Sequence, residues 1–135
     1  MTRRLFLALP AVALFAFTAG AADENPIVTL VKSKVKDKTK PFAMTVTFKV
    51  KAGGEKAFEA AFAPCLKATR KEPGNRVYQL NRDLDEARVY TMYEQFKDVA
   101  AVEEHAKAKY VEALLKAIGP LLDGDPKVKV YEVVE

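Results

Sequence analysis

The stretch VYQLNRDLDEARVYTMYEQF, residues 77–96, decides the fold of this chain. Residues 77–82 are predicted to form one strand, and residues 89–96, which are rich in tyrosine and β-branched side chains, a second. The polar segment between them, residues 83–87, is typical of a connecting loop. The centre of the chain is therefore predicted to be two consecutive strands.

A helix is predicted on each side of this pair. Residues 55–70 place apolar side chains at three- and four-residue spacing, which indicates an amphipathic helix, and Pro64 within it predicts a kink or a break into two pieces. After the pair, Asp98 is a good N-cap for a short helix over residues 99–106. A further helical stretch is predicted over residues 110–122.

The outermost elements are again strands. Residues 42–51 and 128–134 alternate apolar and polar side chains, the pattern of half-buried strands. The predicted order is β-α-β-β-α-β, with the second helix in two pieces. This order indicates an α+β, ferredoxin-like domain over residues 42–135: an antiparallel four-stranded sheet with helices on one face. A chain of 135 residues has room for one such domain.

The N-terminus has the features of a cleavable signal peptide. Arg3 and Arg4 precede an apolar run over residues 5–17, and Ala19-Gly20-Ala21 supplies small residues for cleavage. The run is shorter than the roughly 20 residues that a membrane-spanning helix needs. We therefore predict removal of residues 1–21, a periplasmic or secreted mature protein and no stable membrane anchor. The paired arginines also resemble a twin-arginine signal.

Residues 22–41 are predicted to be a Lys-rich linker or arm. Asn25-Pro26 opens the segment, and every second residue from Lys32 to Lys40 is a lysine. These lysines make a solvated arm more favourable than a short strand at residues 27–31. They also account for much of the formal charge of +4, so no basic patch is expected on the folded domain and nucleic acid is not expected as a partner.

Three segments carry a resemblance to a known family. Residues 69–78, TRKEPGNRVY, are similar to a segment that joins the first helix to the second strand in the antibiotic biosynthesis monooxygenase family. Residues 93–98, YEQFKD, resemble its next motif, with Phe96 in place of the usual Trp, and residues 102–105, VEEH, match the motif that follows. The resemblance implies a dimeric α+β barrel, in which two sheets pack face to face in a homodimer and each subunit holds a small-molecule pocket.

The resemblance also implies a range of activities. Members include cofactor-free oxygenases of quinols and phenols, haem-degrading enzymes and an isomerase. We expect a cofactor-independent monooxygenase that uses O₂ on a small aromatic, phenolic or quinol-like ligand. A non-catalytic binding module on the same fold and an isomerase using the same pocket remain alternatives. Haem is not expected, because Trp is absent and Leu115 or its neighbours take the place of the haem-ligating histidine. One His and one Cys cannot supply the ligands of a zinc or copper site.

His105 and Glu94 are the candidate catalytic residues. His105 is the only histidine, and a neutral imidazole can take the proton of a phenol or quinol. The alternative is a surface or capping histidine. Glu94 lies among apolar neighbours, so it needs a partner, for which Arg70, Arg82 and His105 are available. It either orients His105 or forms an ion pair that fixes helix to sheet.

The candidate ligand-binding residues are mostly aromatic. Tyr78, Tyr93 and Phe96 could offer flat faces to an aromatic ligand, and Arg70 a charged group. Because strand aromatics are more often part of the core, about one of Tyr78, Tyr90 and Tyr93 is expected to touch a ligand. Cys65, flanked by apolar residues, is expected to be a buried and inert thiol.

Overall fold

The structure is a computed structural model, and it describes residues 24–135. The predicted signal peptide, residues 1–21, lies outside the described residues. The elements, in chain order, are α1 (Pro26–Lys34), β1 (Phe42–Lys49), α2 (Glu55–Thr69), β2 (Asn75–Arg82), β3 (Val89–Phe96), α3 (Val99–Ala106), α4 (Lys109–Ile118), a 3₁₀ turn (Gly119–Leu121) and β4 (Lys127–Glu132).

The four strands form one antiparallel sheet in the order β2-β3-β1-β4. The two strands predicted at the centre of the chain pair with each other, with Tyr78 opposite Glu94. β1 lies between β3 and β4, so the first and last strands of the domain are neighbours. The predicted α+β, ferredoxin-like fold is confirmed.

The two faces of the sheet have different roles. Alternate side chains of β1 and β3, among them Phe48 and Tyr90, face the helices and are buried. Phe48 packs edge-on against Phe58 and Phe62 of α2, with ring centroids 5.5 and 5.8 Å apart. The other set of side chains, including Tyr93, points away from the helices. In the part of the chain that the structure describes, the hydrophobic core therefore lies on the helix-covered side of the sheet.

Residues 26–34 of the Lys-rich segment form a helix, α1, where the sequence predicted a solvated arm. Asn25 caps α1 by accepting a hydrogen bond from the Ile27 backbone N–H, and Pro26 occupies the first turn, where no N–H is needed. Val28 and Val31 lie on one face of α1 and are buried. Val28 and Val31 are three residues apart, which is a helical spacing, but the alternating lysines that follow favoured the prediction of an arm.

α1 joins a second core cluster at one end of the sheet. Val31 is fully buried against Phe42 and Phe96 of the sheet and against Val99 and Val102 of α3. Lys32 forms ion pairs with Glu24 and with Glu103 of α3. The helix thus extends the core beyond the predicted β-α-β-β-α-β unit.

Pro64 does not divide α2. The helix runs from Glu55 to Thr69 without interruption, although Pro64 cannot donate a backbone hydrogen bond within it. Phe62 and Cys65, on either side of the proline, are both buried in the core, and this packing stabilises both halves of the helix. Within residues 24–135, no helix is both long and apolar enough to cross a membrane.

Candidate functional site

His105 lies in the last turn of α3, on the side that faces the sheet. The predicted N-cap is present: the Asp98 carboxylate accepts a hydrogen bond from the Ala101 backbone N–H at 2.8 Å. Val99, Val102 and His105 form the buried face of this helix. The imidazole is only 6% exposed, so His105 is part of the interior and not a surface histidine.

Glu72, in the turn after α2, is the partner of His105. Its Oε1 is 2.9 Å from Nδ1 of the imidazole and also accepts a hydrogen bond from the Tyr110 hydroxyl of α4. Because an ionised carboxylate only accepts, this contact assigns the proton to Nδ1 and leaves Nε2 as the acceptor nitrogen. Glu72 was not among the predicted site residues, although it is the glutamate within the TRKEPGNRVY motif.

Gly74 explains how Glu72 comes so close to α3. A Cβ at position 74 would lie 2.4 Å from Cβ of Ala101, a distance that two carbon atoms cannot adopt. The Gly74 carbonyl also accepts the Lys97 backbone N–H at 2.9 Å. Ala101 is one turn before His105, so the turn that carries Glu72 can pass directly over this part of the helix only with glycine at position 74.

Two aromatic side chains of the sheet, Tyr78 and Phe96, pack against the sheet-facing side of the imidazole. The ring centroids of Tyr78 and Phe96 lie 5.3 and 5.2 Å from that of His105. Both aromatic residues are buried, Phe96 completely. Three of the predicted site residues, His105, Tyr78 and Phe96, are therefore brought together.

Glu94 lies on the same face of the sheet, but it has none of the expected partners. Arg70 donates from Nε to the Tyr78 carbonyl, Arg82 pairs with Glu59, and His105 is held by Glu72. Glu94 is 5% exposed, and its Oε2 lacks a hydrogen-bond partner among the described residues. Burial, with a smaller contribution from the nearby Glu72 carboxylate, raises the pKa of Glu94 to about 8.

Two predicted ligand-binding residues are placed elsewhere. Tyr93 lies between Met92 and Glu94 on β3 and is 37% exposed, so it points to the face of the sheet opposite His105. Arg70 is occupied by the backbone of β2 and fixes the end of α2 to the sheet. Neither residue is among those found beside the imidazole: alternation along β3 sends Tyr93 to the other face of the sheet, and the Arg70 guanidinium is bonded to the Tyr78 carbonyl.

The phenol and thiol groups near Glu94 stay protonated. Burial is the main cause that raises the pKa of Tyr78 well above its usual range, and burial also raises the pKa of the Cys65 thiol. The Cys65 sulfur lies 3.5 Å from the Tyr78 hydroxyl and 3.7 Å from that of Thr69. Cys65 is thus a buried thiol held in the core, which agrees with the sequence analysis.

A surface cleft of about 400 Å³ gives access to the imidazole. It is bounded by the turn after α2 and by α3, and its lining includes Glu72, Gly74, Ala101, His105 and Tyr110. Burial, together with the hydrogen bond to Glu72, raises the pKa of Tyr110 well above its usual range, so Tyr110 remains a neutral donor. Within residues 24–135, no group of His, Cys, Asp and Glu side chains is arranged to hold a metal ion. The cleft is therefore lined by an imidazole whose orientation is fixed by its contact with Glu72.

Solved structures share this architecture. A protein of Caulobacter crescentus, named for antibiotic biosynthesis monooxygenases, is 31% identical and aligns with a TM-score of 0.67 over 73% of this chain and 93% of its own. A Nitrosomonas europaea protein of the same name aligns with a TM-score of 0.69 over 74% of this chain and 96% of its own; at 17% identity it supports the fold alone.

Sequence comparison adds two findings. An uncharacterized protein of Synechocystis sp. is 25% identical over 101 residues, which is 75% of this chain and 69% of that protein. The family model for antibiotic biosynthesis monooxygenases matches residues 41–117, which extend from just before β1 nearly to the end of α4. This match includes Glu72, Tyr78, Glu94, Phe96 and His105. The chain therefore belongs to the antibiotic biosynthesis monooxygenase family.

Proposed function

We propose that this protein is an exported, cofactor-independent monooxygenase that oxidises a small phenol or quinol with O₂. One observation carries the proposal: the only histidine of the chain lies at a cleft, with Nδ1 fixed by Glu72 and Nε2 left as an acceptor. A base held in a single tautomer by a carboxylate is suited to removing a hydroxyl proton. Family membership supports the reaction class.

The proposed reaction begins with proton transfer from a ligand hydroxyl to Nε2 of His105. The Glu72 carboxylate stabilises the imidazolium that forms, and Tyr110 keeps the carboxylate in place. The resulting anion is electron-rich and can reduce O₂. A quinol and O₂ together yield a hydroxyquinone and water, so the quinol supplies all four electrons and no external reductant is required.

Oxygen consumption with a panel of quinols and phenols tests the proposal. We expect His105→Gln to lower the rate by about 10²–10⁴-fold, the usual contribution of one positioned base. Glu112→Gln, an exposed glutamate of α4, is the matched control and should keep the wild-type rate. An unchanged rate in His105→Gln would remove the imidazole from the mechanism. A wild-type protein that binds these ligands in native mass spectrometry without consuming O₂ would instead be a binding module.

We also propose a homodimer formed through the uncovered face of the sheet. Tyr93 and Tyr131 are 37% and 43% exposed on that face, and Thr45 contacts the Tyr131 hydroxyl at 3.3 Å. An exposed surface with large aromatic side chains commonly marks an interaction site. The dimeric barrel implied by the family resemblance uses this same face of the sheet.

Export is proposed from the sequence of residues 1–21. The charged start, the short apolar run and Ala19-Gly20-Ala21 place cleavage before Ala22. N-terminal sequencing of protein recovered from the producing cells measures this directly. An intact Met1 in the mature protein would contradict export by a cleaved signal.

A further inference from the structure

The proposed mechanism gives no role to Glu94, a buried carboxyl group beside the site. Glu94 Oε2 is shielded from solvent and lacks a hydrogen-bond partner among residues 24–135. The other buried polar side chains, Thr69 and His105, both have partners. Native proteins seldom leave a buried polar atom unsatisfied, and such an atom at a site indicates a function.

The contacts of neighbouring side chains locate this carboxyl group. Tyr78 is directly opposite Glu94 in the sheet, and Phe96 is two residues further along the same strand, on the same face. The His105 ring packs against both of these aromatic rings. The Glu94 carboxyl group therefore lies beneath the imidazole, one side chain away from the cleft.

Within residues 24–135, no lysine or arginine lies close enough to Glu94 to stabilise its charged form. The titratable groups that face it are Cys65 from α2, Glu72 from the following turn and Tyr78 from β2, with His105 above. β1 contributes Met44, which is apolar and pairs with Glu94 in the sheet. Two of the titratable neighbours are neutral, the third is a carboxylate, and the imidazole is already paired with that carboxylate. These surroundings favour a protonated Glu94, which is a hydrogen-bond donor.

We propose that protonated Glu94 donates a hydrogen bond to a carbonyl oxygen of the ligand. The ligand class is thereby narrowed to planar molecules, such as hydroxyquinones and hydroxyketones, that carry a carbonyl oxygen besides the hydroxyl group that faces His105. Glu94 does not itself line the cleft, so the inference includes a rotation of the imidazole about its hydrogen bond to Glu72, away from the Tyr78 and Phe96 rings. The inference rests on the proposed function in one respect, which is that the ligand binds in the cleft beside His105.

Binding of 1-tetralone and tetralin tests this inference, because the two molecules differ by one carbonyl oxygen and neither has a hydroxyl group. Glu94→Leu should weaken 1-tetralone binding by about 3- to 10-fold in calorimetry at pH 7, the value of one hydrogen bond, and should leave tetralin binding unchanged. Glu94→Gln keeps a donor and should bind 1-tetralone nearly as the wild type does. Wild-type affinity should also fall as the pH rises through about 8, whereas Glu94→Gln should show no such fall.

Infrared spectroscopy tests the protonation state without any ligand. The difference spectrum between wild type and Glu94→Gln at pH 7 should contain the carbonyl stretch of a protonated carboxyl group. The inference would be overturned if carboxylate bands appeared in place of that stretch. It would also be overturned if the wild type did not bind 1-tetralone measurably, or if Glu94→Leu lost affinity for 1-tetralone and tetralin equally. Oxygen consumption is a separate measurement. If the binding and infrared results are as expected but the protein does not oxidise quinols, the proposed function is rejected and this inference is retained.

Discussion

Replacement of Glu94 by glutamine should change how the stability of the protein depends on pH. Burial raises the pKa of Glu94 from 4.5 to about 8 in the folded protein. Between these values the folded chain keeps a proton that the unfolded chain has released, so the free energy of unfolding falls as the pH rises. The stabilisation is fully present below about pH 4.5 and is lost as the pH rises through about 8.

The size of this effect follows from the pKa difference. The rise in the Glu94 pKa from 4.5 to about 8 corresponds to about 5 kcal/mol in the free energy of unfolding, and relaxation of the core around the charged group reduces this energy. We therefore expect the wild type to lose about 2–5 kcal/mol between pH 5 and pH 9 through this group alone. Glu94→Gln cannot ionise, so it should lack this loss. Urea denaturation at pH 5, 7 and 9, at one fixed protein concentration, measures the difference between the two proteins.

Comparison with a matched exposed glutamate completes the experiment. Glu112→Gln removes a carboxylate from the exposed side of α4 and should leave the pH dependence of the wild type unchanged. His105 and the other titrating groups are present in all three proteins, so their contributions cancel in the comparison. Parallel curves for wild type and Glu94→Gln from pH 5 to pH 9 would refute the reasoning, because they would show that Glu94 ionises in the folded protein at an ordinary cost.

Three other outcomes are expected. Sedimentation equilibrium of the mature protein at micromolar concentration should give twice the chain mass, and a monomer there would refute the proposed dimer. Val31→Ala should lower the free energy of unfolding by about 2 kcal/mol, because Val31 is fully buried, whereas Val134→Ala, at an exposed position, should have no effect. Gly74→Ala should lower the free energy of unfolding by about 1–3 kcal/mol and should lower activity by moving Glu72. At Gly119 an added Cβ meets no atom within 4 Å, so Gly119→Ala should change neither quantity. Equal effects of the two substitutions would contradict the close approach of Gly74 to α3.

The secondary structure of the domain could be predicted from the sequence because local signals and packing agree there. Asp98 and the apolar positions that follow it predicted a helix over residues 99–106, which are the residues of α3. Val89–Phe96 was likewise predicted with the bounds that β3 has. α1 was missed because its buried residues, Val28 and Val31, amount to less than one turn of apolar pattern among many lysines. Their burial depends on α3 and the sheet, which are distant in the sequence.

The candidate site could be predicted only in part, for a similar reason. His105, Tyr78 and Phe96 were singled out by residue type and position, and the fold brings their rings together. The partner of His105 was not found, since Glu72 belongs to a Glu-Pro-Gly-Asn segment that was interpreted only as a turn. Its role depends on the close approach of Gly74 to α3, which is a tertiary contact. Tyr93 was predicted from its aromatic side chain, but its position between Met92 and Glu94 on β3 puts it on the face of the sheet opposite His105.

The two carboxyl groups of the site, Glu72 and Glu94, lie in different environments. Glu72 lies at the cleft, and its Oε1 accepts hydrogen bonds from His105 and Tyr110. Glu94 lies under the rings with an unsatisfied oxygen and a raised pKa, which favours its neutral form. The Glu72 carboxylate can thus stabilise a proton that His105 gains at Nε2. The Glu94 carboxyl group, on the sheet side of the imidazole, can donate a hydrogen bond. Environments that separate the protonation states of paired groups are a feature of acid–base sites, and this separation links the fold of the chain to the chemistry proposed for it.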